Sequence, residues 1–298
     1  MMNIKEFANK VAQAVEAALG TVVTVEEIVK NNTTLTGLRI TPPSDGNVSP
    51  VVYVEDYYEM YRNGAELTDI ILDIVDVIKE HTTPIKKMNL DVSFFSDYTK
   101  VRDRIVFKLI KAEGNEELLK TLVYKPFLDL AITFAYELPD EMRDAIGGQG
   151  SIRITNGHLS TWMENYGPIS VDDLYKAAYG NTVRIRPITK TNLCELIEEM
   201  SGIPSEISLP IDVVYNEDRI NGSVAMLYND VLDEYSKKFG GALYVIPSSI
   251  HEIMVMAKDP SMFDPAIIRA VNETQVLPDE VLSNSLYVYE NGKLQIAA

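Results

Sequence analysis

The densest short cluster of chemically capable side chains in this 298-residue chain is Ser248, Ser249, His251 and Glu252, in the stretch PSSIHE. A serine hydroxyl beside a histidine and an acid can become a nucleophile, because an imidazole titrating near neutrality is a natural base. The spacing argues for a humbler role. Members of a catalytic triad come from separate loops that face one another, whereas these four follow one another along a single turn. No GxSxG elbow accompanies them. The turn chemistry of Ser248 and Ser249 predicts hydroxyls bonded to nearby backbone groups, with His251 and Glu252 on opposite faces of the following strand. Catalysis by Ser249 and His251, in a serine-type hydrolase, is kept as the enzymatic alternative.

Two further constellations suggest binding. Glu66, Asp69, Asp73, Asp76 and Glu80 recur at spacings of three and four. That places all five on one helical stripe, opposite Leu67, Ile70, Ile71, Ile74, Val75 and Ile78. Such a row could attract a hard cation, but metal sites on helices need ligands from a second element. The expected role is a solvated face suited to a basic partner. Just before it, Tyr53, Tyr57, Tyr58 and Tyr61 crowd with Glu55, Asp56 and Glu59. Tyrosine rings contact apolar and polar groups alike and are enriched at interfaces. Tyr53, Asp56, Tyr57 and Tyr61 therefore join Glu66, Asp69, Asp73 and Asp76 as candidate binding residues.

Other chemistries lose support. The single cysteine, Cys194, admits no intrachain disulfide. The three histidines, His81, His158 and His251, fit no zinc-binding spacing, so no metal site is expected. Gly147-Gly148-Gln149-Gly150 lacks the dinucleotide and P-loop patterns, so no cofactor is expected. The chain carries 27 basic and 44 acidic residues, a net charge of −17. Residues 1–150 hold 24 acids and 16 bases (−8), and residues 151–298 hold 20 and 11 (−9). Without a basic stripe, nucleic-acid binding is not expected; an acidic mimic of nucleic acid is a second alternative. No signal-like apolar segment or membrane-length run is visible, and a cytoplasmic setting is expected.

These side chains need elements to hold them. Apolar periodicity predicts helices over residues 3–19 (ending at Gly20), 65–80, 97–111, 157–165, 193–200, 229–239 and 265–273. Ser170 with Asp173 reads as a capping box opening another. Strands are expected in TVVTVEEIVK and TLTGLRIT, joined at Asn31-Asn32, and in VVYVE, residues 91–95, FLDLAITFAYEL and SIRIT. In the C-terminal part they are expected in IDVVYN, NGSVAMLY, ALYVIP, EIMVMA, SLYVY and KLQIA. Asn291-Gly292 is the strongest hairpin signal. The fold class expected is α+β, with antiparallel sheets and helices packed on one face. The C-terminal part would hold two strand-strand-helix units and a closing hairpin. Two domains are expected, 1–147 and 151–298, divided at the glycine-rich loop.

The motifs VKNNTTLTGLRI, NVSPVVYVEDYYEMYRNG, RDRIVFKLI, LYKAAYGNT, LYVIPSSIHEIMVM and EVLSNSLYVYENGKLQI resemble, in order, a bacterial family catalogued as a domain of unknown function. The resemblance spans about 22 to 296 and implies no activity. The function expected from the residues is a non-enzymatic protein or small-ligand interaction module.

Overall fold

In a computed structural model, the residues described are 2–41, 49–85, 93–139, 142–143, 150–204, 209–247, 249–261 and 263–297, the side chains of 81–85 excepted. Ser248, the side chain of His81 and residues 147–149 of the glycine-rich loop lie outside them. Of the described residues 45% are helical and 27% strand, and the antiparallel sheets make the fold α+β. It divides into two compact units, Met1–Phe94 with Leu138–Ser151, and Phe95–Glu137 with Ile152–Ala298. Residues 95–137, grouped with the N-terminal half by the sequence pattern, are thus in the second unit.

The first unit opens with helix α1, Ile4–Leu19, held by a reciprocal capping box between Asn3 and Glu6. It ends at Gly20, whose φ of 66° is the left-handed conformation that only glycine adopts cheaply. Strands β1 (Val23–Lys30) and β2 (Thr33–Ile40) form an antiparallel hairpin with Asn32 at φ 57°, and β3 (Val51–Tyr53) pairs with β2. Helices α2 (Glu55–Arg62) and α3 (Leu67–Ile85) follow. Phe7, Val11 and Val15 of α1, Leu38 and Ile40 of β2, and Ile70, Ile74, Val75 and Ile78 of α3 form one buried core. Burying each such side chain is worth about 1.5–3 kcal/mol.

After a helical turn α4 (Ser93–Ser96), the second unit continues with another, α5 (Tyr98–Val101), which tightens into a 3-10 turn at Arg102–Arg104. Strand β4 (Ile105–Lys111), helix α6 (Glu116–Thr121) and strands β5 (Tyr124–Phe127), β6 (Leu130–Glu137) and β7 (Ser151–Arg153) come next. β6 lies between β4 and β5, antiparallel to both, and β7 also pairs with β6. Helices α7 (Asn156–Tyr166) and α8 (Val171–Ile185) lead to β8 (Ile188–Asn192), α9 (Leu193–Ser201) and β9 (Ile211–Asn216). A 3-10 helix, Gly222–Leu227, precedes α10 (Asn229–Phe239), β10 (Leu243–Ile246), β11 (Ile253–Ala257), α11 (Ala266–Thr274) and the hairpin of β12 (Tyr287–Glu290) with β13 (Lys293–Ile296). Six strands form one sheet in the order β13-β12-β10-β11-β9-β8.

Three local expectations are corrected. The stretch 97–111 is not one helix, because its second half is β4. Ile105, Val106, Phe107, Leu109 and Ile110 are all buried, and a helix would turn some of them to solvent. Extended, they are covered on both faces, and their backbone pairs with β6 from Ile105 opposite Tyr136 to Lys111 opposite Leu130. NGSVAMLY is not a strand but the 3-10 helix, with Asn221 at φ 55° before it. A side chain on Gly222 would meet the His251 carbonyl at 2.4 Å and the Asn216 amide at 2.8 Å, so the chain turns sharply at a point only glycine can occupy. The first strand-strand-helix unit therefore has a 3-10 helix where its second strand was expected. Of 91–95, the described residues Ser93–Phe95 are helical.

A buried ion pair lies in the second unit. Arg186 donates through Nε to Glu137 Oε1 at 3.0 Å, and its Nη2 stands 2.9 Å from the same oxygen. The side chains are 8% and 4% exposed. Nη1 also reaches the Ile220 carbonyl at 3.4 Å and Asp218 at 3.6 Å.

Candidate functional site

The loop between β10 and β11 carries the serine–histidine cluster. Ser249 is buried, and its Oγ accepts from the His251 amide at 3.0 Å, a local serine turn. His251 Nδ1 accepts from the Asn221 amide at 3.3 Å. With Nδ1 accepting, the ring proton is assigned to Nε2, which donates to Glu280 Oε1 at 3.2 Å. Among the described residues, the imidazole's hydrogen bonds go to these two partners and not to Ser249. Neighbouring bonds tie the same loop down. The Ile250 amide donates to the Glu280 carbonyl at 2.8 Å, and Ser223 Oγ donates to the Ile250 carbonyl at 2.7 Å. The geometry orients the imidazole toward Glu280, 29 residues further along the chain, and uses the Ser249 hydroxyl to shape the turn.

The tyrosine-rich segment is divided between packing and exposure. Tyr57, Tyr58 and Tyr61 of α2 lean on the core of the first unit. The Phe7 ring lies 5.4 Å from each of the Tyr58 and Tyr61 rings, and Tyr58 donates its hydroxyl proton to the Met2 carbonyl at 2.9 Å. Tyr53 is half-buried beneath the Lys30 ammonium, 4.7 Å from the ring centre. Asp56 is exposed on the first turn of α2. Burial, with the Asp73 carboxylate nearby and accepting its hydrogen bond, pushes the Tyr57 hydroxyl above its ordinary pKa. That contact couples the tyrosine segment to the acidic helix.

On α3 the amphipathic division holds residue by residue. Ile70, Ile74, Val75 and Ile78 are buried, and Glu66 just before the helix and Asp69, Asp73, Asp76 and Glu80 along it are exposed. Lys79 approaches Asp76 at 3.9 Å. For Glu66, Asp69, Asp73 and Glu80, no cation stands within ion-pair distance among the described residues. Leu72 is 57% exposed on the same side, three residues after Asp69 and four before Asp76, hence flanked by both carboxylates.

Other polar clusters escaped sequence reasoning. Asp129 accepts from Ser283 Oγ at 2.7 Å, from Ser285 Oγ at 3.0 Å and from the Tyr287 hydroxyl. Burial, then this bond to Asp129, raises the Tyr287 pKa. No spacing signal links residues more than 150 positions apart. Cys194 is buried, and its sulfur accepts from the Leu209 amide at 3.3 Å. Among the described residues no group of three or more His, Cys, Asp or Glu side chains could hold a metal ion. No described helix is long and apolar enough to cross a membrane.

Comparison with known proteins adds one result. The model of a family of unknown function, DUF5688, matches residues 4–291. No curated protein matches the chain, and no solved structure does.

Proposed function

We propose that this chain, which belongs to the DUF5688 family of unknown function, works by binding rather than by catalysis, and that the acidic face of α3 receives a partner with a basic surface. The observation that carries the reading is the grouping of Asp69, Asp73 and Asp76 around the exposed Leu72. Like charges three or four residues apart on a helix cost about 0.2–0.5 kcal/mol per pair. A basic partner would turn that repulsion into attraction, and Leu72 would supply an apolar contact at the centre of a charged rim. Asp56 extends the acidic surface, and the half-buried Tyr53, Tyr57 and Tyr61 brace it.

The test is quantitative capture from native lysate at low salt, comparing the natural chain with the Asp69→Lys/Asp73→Lys/Asp76→Lys variant. The reading expects a basic protein that is held by the natural chain, is released as salt rises and is absent from the variant. Identical captured sets from both proteins would sink it. A DNA-binding protein in the captured set would favour the nucleic-acid-mimic form of the same reading. The serine-hydrolase alternative has less support, because the His251 ring is engaged by Asn221 and Glu280.

A further inference from the structure

We propose that the cleft of the second unit lined by Tyr98, Arg102, Tyr166 and Lys176 binds the phosphate group of a small organic phosphate. The cleft has a volume of about 490 Å³ and is lined by residues of the 98–104 segment and of α8, with Tyr166, Pro168 and Ile169 between them in the chain. That volume suits a metabolite-sized ligand. Arg102 and Lys176 are both exposed and come from two different segments, and among the described residues neither has an ion-pair partner. In a chain of net charge −17, two cations that line one cleft outside any close ion pair stand out, with Asp172 and Asp173 feeling the Lys176 charge from further off.

Asp103 acts on Tyr98 from beside the cleft, but three other nearby acids have partners of their own. Asp173, which also lines the cleft, accepts from the Ser170 amide at 2.9 Å and from Ser170 Oγ at 2.6 Å. These bonds hold its carboxyl below the usual carboxylate range. Asp97 accepts from the Tyr166 hydroxyl at 2.6 Å, and Asp172 is paired with Lys125 at 2.8 Å. The positive character continues along α8, where a second groove of about 500 Å³ is lined by Lys100, Arg104 and Arg184 with Asp103, Asn181 and Ile185.

The donor set favours phosphate. A guanidinium offers a fork that matches two phosphate oxygens, and an ammonium adds a point charge from a second segment. Tyr98 and Tyr166, with ring centres 6.3 Å apart, give the organic body a surface that is apolar on its faces and polar at its hydroxyls. The site is separate from the α3 face and does not depend on that reading.

The chain contains one tryptophan, Trp162, whose ring centre is 5.5 Å from that of Tyr98, so its fluorescence reports on the cleft. The experiment titrates the full chain with ribose 5-phosphate, following Trp162 emission. Calorimetry repeats the titration and adds AMP, glucose 6-phosphate and the unphosphorylated ribose. At least one of the three phosphates should bind saturably, and more weakly as salt is raised, while ribose does not bind. Arg102→Ala and Lys176→Ala should each weaken binding roughly 10- to 100-fold, and Arg102→Lys should fall between. Both residues are exposed, so the variants should keep the natural urea midpoint, which separates loss of binding from loss of fold. The proposal is overturned if none of the three phosphates binds below roughly 10 mM, if ribose binds equally well, or if the two alanine variants bind as the natural chain does.

Discussion

Replacing Glu137 by glutamine should unfold the second unit at a markedly lower urea concentration, although the side chain barely changes shape. Arg186 is 8% exposed and its closest contacts are the two approaches to Glu137 Oε1 at 2.9 and 3.0 Å. At 2.9 Å and an effective dielectric of about 20, the attraction is about 6 kcal/mol. Much of it offsets the cost of removing both charges from water, so the pair as a whole adds little net stability. Neutralising one member is different. The guanidinium stays buried facing at best a neutral amide, and the carboxylate left near it is the half-exposed Asp218 at 3.6 Å, with the Ile220 carbonyl at 3.4 Å. Breaking such a pair costs about 3–5 kcal/mol. With a urea slope of about 2 kcal/mol/M, the midpoint should fall by roughly 1.5–2.5 M. Trp162 is the natural probe, because it is fully buried in the second unit with its ring 6.3 Å from that of Tyr136, the neighbour of Glu137. The double change Glu137→Met/Arg186→Met should recover most of the loss. A Glu137→Gln midpoint within about 0.5 M of the natural one would refute the reasoning, as would a double variant less stable than either single one.

Three further outcomes follow from named contacts. Gly222→Ala should destabilise by several kcal/mol (about 3 or more), because the added methyl would meet backbone atoms at 2.4–2.9 Å that cannot swing aside; an unchanged thermal midpoint would contradict the packing. Burial lowers the His158 pKa below its ordinary value, so below about pH 6.5 the unfolded chain binds a proton that the folded chain resists. Stability should therefore fall as pH drops through that range, and His158→Gln should flatten the dependence in urea titrations at pH 7.5 and 5.5; equal slopes for both proteins would count against it. A fluorophosphonate probe should not label Ser249, whose hydroxyl serves the turn, and labelling abolished by Ser249→Ala would revive the hydrolase reading.

Elements specified by neighbouring residues were legible in the chain. Gly20 ends α1, and Ser170 with Asp173 forms the expected reciprocal cap of α8. Asn291 and Gly292, at φ 53° and 73°, close the β12–β13 hairpin. The three- and four-residue spacing of the α3 acids translated directly into one exposed face. The failures share a cause. IVFKLI became a strand because β6 offers it a partner on the sheet, and NGSVAMLY became a 3-10 helix because His251 and Tyr215 crowd Gly222. Neither constraint lies within a few residues of the segment it governs.

The same distinction divides the candidate sites. Periodicity and capping act over about one helical turn, so the sequence by itself determined the α+β class, the amphipathic division of α3 and several element ends. Which side chains meet depends on long-range packing, and only the tertiary structure decided it. His251 found Glu280 rather than Ser249, and Asp129 gathered three hydroxyls from 283–287. Arg102 and Lys176, more than 70 positions apart, were brought to face one cleft. Backbone conformation is set largely by nearest neighbours, whereas a binding surface is made where distant segments are forced together to bury their apolar faces.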